Sequence, residues 1–104
     1  MKIPNKIKIL GKDINIKFDK ELMNSSSNKG EAHYRYNKII LQSNTNSIPL
    51  KQQQIDETLL HEIIHFILIM TALSDNFENE KEEQFVKLFS EVLYQVLKDN
   101  KLKF

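Results

Sequence analysis

Apolar residues in the first part of the chain recur at every second position. Ile7 and Ile9, then Ile14, Ile16 and Phe18, alternate with polar residues on either side of Gly11-Lys12-Asp13. That is the pattern of a β-hairpin with one buried face. Residues 32–36 and 39–41 form a second pair around Asn37-Lys38, a turn that lacks the favoured Asn-Gly. Between the pairs lies Ser25-Ser26-Ser27-Asn28-Lys29-Gly30. Its composition predicts a loop over 19–30, with room for a short helical turn over 20–23. Residues 42–47 read as polar linker.

Beyond Pro49 the apolar period lengthens. Ile55, Leu59, Ile63, Phe66, Ile67 and Met70 follow helical spacing and predict a helix over 50–70. Pro49 suits its first turn, with Ser47 as the cap. Leu60, Ile64, Leu68 and Ile69 widen the apolar surface almost all round, so this helix should be buried on several sides. Residues 72–78 connect it to a second helix over 80–98. There Phe85, Phe89, Val92 and Val96, with Val86, Leu88, Leu93 and Leu97, give an apolar face broader than one packing partner needs. The expected fold is α+β, a single domain over 1–104. Hairpins from 1–48 would build a small antiparallel or mixed sheet, packed on two long helices from 49–104.

Composition narrows the choice of chemistry. A chain of 104 residues, 40% hydrophobic and 28% charged, is sized and composed for one globular core. A formal charge of +1 offers no electrostatic case for nucleic acid or acidic membranes as partners. No apolar run reaches the ~20 residues needed to span a bilayer. The lysine–isoleucine alternation of residues 1–17 is not the apolar block of a signal peptide, so cytoplasmic residence is expected. The chain has no cysteine, which removes disulfides and thiolate metal sites from consideration. Any metal must be held by histidine, carboxylate and water.

The first predicted helix carries His61-Glu62-Ile63-Ile64-His65, an HExxH pentad. Histidines four apart stand one above the other on a helix face and can reach one zinc ion. Glu62, beside the first of them, is placed to act as general base toward the attacking water. Thr58-Leu59-Leu60 and Phe66-Ile67 flank the pentad without charge, proline or glycine, the helical setting that the chemistry requires. A catalytic zinc site commonly has three protein ligands and one open position. Thr71 occupies the place of a third histidine in the longer HExxHxxGxxH pattern, and Leu68 the place of its glycine. His33 falls in a predicted strand and Asp75 in the interhelix connection. The start of the second helix carries Glu78, Glu80, Glu82 and Glu83. Helical spacing allows either Glu83, three before Val86, or Glu82, three before Phe85, to share a face with the core.

HExxH followed by a short connection and a glutamate-bearing helix resembles the gluzincin metallopeptidases. Residues 58–65, with Glu83-Gln84-Phe85-Val86 and residues 93–100, are similar to small zincin-like proteins of phage and mobile elements and to the ImmA/IrrE type. The likeness spans about 30–100. It implies one Zn2+ per chain held by His61, His65 and Glu83, with Glu62 as the base, in a metallopeptidase that hydrolyses a protein or peptide substrate. It also implies that substrate lies extended along the sheet's free edge, which the analogy places at 39–41. Tyr34, Tyr36, His33 and Tyr94 are the candidate donors to the developing oxyanion. The opposing expectation is a non-catalytic binding module with a structural metal. Its second helix would dock another protein. A third expectation is a homodimer through the apolar surplus of that helix, with the site shut by the other subunit.

Overall fold

The computed structural model describes residues 3–19, 29–45 and 48–102. Four strands, β1 (Lys6–Ile9), β2 (Lys12–Phe18), β3 (Gly30–His33) and β4 (Lys38–Leu41), form one sheet in the order β1-β2-β4-β3. Two long helices follow, α1 (Gln52–Met70) and α2 (Asn79–Asp99). The architecture is the expected α+β arrangement, with a mixed sheet.

The first hairpin pairs Ile7 with Ile14 and Ile9 with Lys12. Its turn is Leu10-Gly11, with φ of 49° and 81°, two successive positive values that match the right-handed twist of the strands. The turn therefore begins before Gly11, and Lys12 and Asp13 already lie in β2.

The second pair is also antiparallel, with Ala32 opposite Ile39, but no tight turn joins it. Tyr34–Tyr36 form a 3-10 turn, which ends at Asn37 with φ 51°, a left-handed conformation that asparagine tolerates. β4 is not the expected edge strand. It pairs in parallel with β2 and antiparallel with β3, and its Ile39, Ile40 and Leu41 are all buried. A continuous apolar run of this kind belongs in a sheet interior. The free edge on this side is β3.

Residues 44–49 depart further from expectation. Asn44–Thr45 (β5) and Ile48–Pro49 (β6) pair as a small ladder, so part of the expected linker is strand. Pro49 belongs to that ladder and not to the helix, which starts at Gln52. The Lys51 N–H donates to Gln54 Oε1 at 2.9 Å, so residues after the proline cap this terminus. Ser47 and the helical turn suggested over 20–23 fall outside the described residues.

The main core joins sheet and helix: Ile9, Ile14, Ile16, Ile39 and Leu41 pack with Ile55, Leu59 and Phe66 of α1. A smaller cluster, Ile64, Leu68 and Val86 with Phe77 against it, joins the helices. α1 is thus buried on several sides. The approach of β3 to α1 is close enough that a Cβ on Gly30 would lie 2.7 Å from Thr58 Cγ2, so this contact requires glycine. The same approach brings the free edge of the sheet beside the HExxH turn. No helix among the described residues is long and apolar enough to cross a membrane.

Candidate metal centre

Helical geometry places the two histidines as their spacing predicts. His61 Nε2 and His65 Nε2 lie 3.2 Å apart, one turn above the other. The rest comes from α2, which crosses so that Glu83 reaches both rings. Its Oε1 is 2.7 Å from His61 Nε2, and its Oε2 is 3.0 Å from His65 Nε2. His61, His65 and Glu83 are the group among the described residues whose ligand atoms converge well enough to hold a metal.

Electron-rich atoms this close cannot all aim lone pairs at one another. The arrangement closes only with protons or a cation at its centre. Ligand atoms of a tetrahedral zinc, at ~2.0–2.1 Å from the ion, stand about 3.3 Å from each other. The observed separations approach that spacing. Burial lowers the His61 pKa, against the opposing pull of Glu83. Burial therefore favours the neutral imidazole, the form that binds metals.

Glu82 takes a different position from Glu83. Its Oε2 lies 3.3 Å from His65 Nδ1, the ring nitrogen facing away from the convergence point. The alignment falls short of a hydrogen bond, so this nitrogen is buried with no aligned partner. A carboxylate behind a ligating histidine orients the ring and raises its basicity. Spacing leaves Glu82 and Glu83 as alternatives for one position, and the fold sets them against different atoms of the histidines. Two neighbouring helix positions differ by ~100° of rotation, so one carboxylate meets the front of the histidine pair and the other its back.

Glu62 is 6% exposed. Burial, then the charges of Glu83 and Glu31, push its carboxyl up to about 7. A group that titrates near neutrality is suited both to accept and to return a proton. His61, Glu62 and Glu83 line one groove of about 330 Å³, which continues past Gly30 and Thr58 to Lys87, Ser90 and Glu91.

Of the four candidate oxyanion donors, Tyr34 is the one coupled to this site. Its ring packs edge-on against Phe66 at 4.9 Å. Burial, then the charges of Glu62, Glu82 and Glu83, raise its pKa to about 12, so the phenol keeps its proton at neutral pH and can donate it. Tyr36 is exposed. Tyr94 donates to Asp56 Oδ2 at 3.4 Å, and His33 Nε2 lies 3.2 Å from Glu31 Oε1. Asp75, in the 3-10 turn Leu73–Asn76, is not in the converging group.

The Asp56 contact shows a structural role that the sequence pattern did not single out. Asp56 is buried in α1, accepts from Gln52 Nε2 at 2.8 Å and receives the Tyr94 hydroxyl from α2. It ties the two helices together away from the histidines. An acidic residue interrupting the apolar face of the first helix was the available signal. No family model matches this chain, and neither curated proteins nor solved structures gave a match.

Proposed function

We propose that the protein is a small zinc-dependent metallopeptidase of gluzincin type, with His61, His65 and Glu83 as ligands and Glu62 as general base. The observation that carries this reading is the convergence of two imidazoles and a carboxylate at 2.7–3.2 Å, beside a buried Glu62 at the head of an open groove. Three protein ligands and an accessible fourth direction are the arrangement of a working zinc site, in contrast to the closed sites of structural zinc. Zinc bound there supplies Lewis acidity, activating water and polarising a carbonyl.

The chain's own residues do the remainder. Glu82 stands behind the His65 ring, where a hydrogen bond from Nδ1 would fix the ring's orientation. Glu62 takes the proton of the attacking water and returns it to the leaving amine. Tyr34 donates a hydrogen bond from its hydroxyl to the oxygen on which charge develops. β3 offers its unpaired edge to an extended peptide, which would lie along the groove. The resemblance to gluzincins rests on these residues, and cytoplasmic residence belongs to the same reading.

The test pairs zinc content with cleavage. Elemental analysis should give about one zinc per chain in the wild type, lost in His61→Ala and reduced in Glu83→Ala. Glu62→Gln should keep its zinc and lose cleavage of an unfolded protein substrate. A Glu62→Gln variant that turns over as fast as the wild type would sink the mechanism. A wild type that takes up no zinc when supplied with it would sink the metal site.

A further inference from the structure

α2 has two unlike flanks. Lys87, Ser90 and Glu91 line the groove. Two residues along a helix amount to ~200° of turn, which sets Phe85 and Phe89 across the helix from Lys87 and Glu91. On that far side Phe85, Leu88, Phe89, Val92 and Val96 are all exposed, Val92 at 59% and Leu88 at 53%. Five such side chains present apolar surface on the order of 400 Å², the size of the largest patch on a typical monomer, which is often functional. Phe77, Phe85 and Phe89 stack in series at 5.5 and 5.4 Å between ring centroids, so the aromatic part of the patch is ordered before any partner arrives.

We propose that this flank binds the same flank of a second copy, with the two α2 helices antiparallel. Phe85, Phe89, Val92 and Val96 are spaced four, three and four apart, the alternation of a seam that interlocks with another helix. The seam is self-complementary when reversed. Setting Phe89 against the partner's Val92 also sets Phe85 against the partner's Val96. Its ends carry opposite charge: Lys81 lies one turn before Phe85, and Asp99 one turn after Val96. The antiparallel register brings lysine to aspartate at both ends, whereas a parallel pair would set lysine against lysine. The dipoles of the two antiparallel helices also oppose favourably.

The apolar area is about half of the ~800 Å² per partner of a standard stable interface. The dimer is therefore reversible, and it leaves both grooves open because they lie on the other flank.

Sedimentation velocity of the full chain between about 1 and 200 µM tests association, on the concentration scale where weak complexes dissociate. Wild-type protein should shift from monomer to dimer over that range. Val92→Glu should stay monomeric with an unchanged melting temperature, because Val92 is exposed. Orientation is read from the cysteine-free background. Under mild oxidation, a Phe85→Cys chain mixed with a Val96→Cys chain should cross-link, and neither should do so alone. Self-cross-linking of Phe85→Cys would overturn the antiparallel pairing. A wild type that remains monomeric throughout would overturn the dimer.

Discussion

α1 and α2 are of similar length, 19 and 21 residues, but the molecule grips them differently. α1 runs between the sheet and α2 and buries Ile55, Leu59, Leu60, Ile64, Phe66 and Leu68. α2 fully buries only Val86 and Ser90. Its polar ties to α1 run from Tyr94 to Asp56, and from Glu82 and Glu83 to the histidines. The proposed ligands are divided between the two. His61 and His65 belong to the helix embedded in the core, and Glu83 to the helix that buries fewer of its side chains. A metal at the convergence point would therefore act as a clamp between a fixed part and a lightly docked one, and binding would be coupled to the docking of α2.

The largest expected effect tests the rigid side of that comparison. Phe66→Ala should cost about 3–5 kcal/mol in chemical denaturation, the usual loss for a buried aromatic. Phe89→Ala, on the exposed flank of α2, should cost less than about 0.5 kcal/mol in the monomer. Similar costs for the two would mean that α2 is as firmly embedded as α1.

The next effect concerns the buried carboxyl of α1 in the metal-free protein. Its folded pKa is raised from 4.5 to about 7, so the native state retains a proton that the unfolded chain has released. The associated stability is complete below the unfolded value and is lost as pH climbs through about 7. Glu62→Gln should remove this dependence. It should stabilise the metal-free protein by on the order of 3 kcal/mol at pH 8 and by little at pH 4, as read from melting curves.

Zinc tests the clamp directly. Free zinc at about 100 times its dissociation constant should add ~2.7 kcal/mol, with the gain in amide-exchange protection concentrated in α2. Protection spread evenly over the sheet would argue against a lightly docked helix. A smaller effect separates the two glutamates. Glu82→Gln should weaken zinc binding by about 10–100-fold while one zinc per chain is still bound at saturation, as expected for a residue that orients a ligand. Complete loss of zinc in Glu82→Gln would instead place Glu82 among the ligands.

Much of this molecule was legible along the chain because its elements have clean periods. The alternation of Ile7, Ile9, Ile14 and Ile16 predicted the first hairpin, and the apolar spacing from Phe85 to Val96 predicted a helix over 80–98, close to the observed Asn79–Asp99. His61 and His65 had to share a face once their segment was helical, since local geometry alone brings residues four apart together. Periodicity reports which face of an element is apolar but not what covers it. It could not show that β4 lies between β2 and β3, because the parallel β2–β4 pairing joins strands distant in the chain. Pro49 looked like a helix start because proline suits both a first turn and an edge ladder, and the pairing with Asn44 decided between them.

The pentad, the absence of cysteine and the run of glutamates limit the ligands of any metal centre to histidine and carboxylate from composition and spacing alone. Only the crossing of α2 over α1 determined which glutamate meets the histidines from the front and which from behind, which tyrosine stands near the acids, and which flank of α2 stays uncovered. Those are relations between residues far apart in the chain. They depend on the relative rotation of two packed helices, which a shift of one residue changes by ~100°.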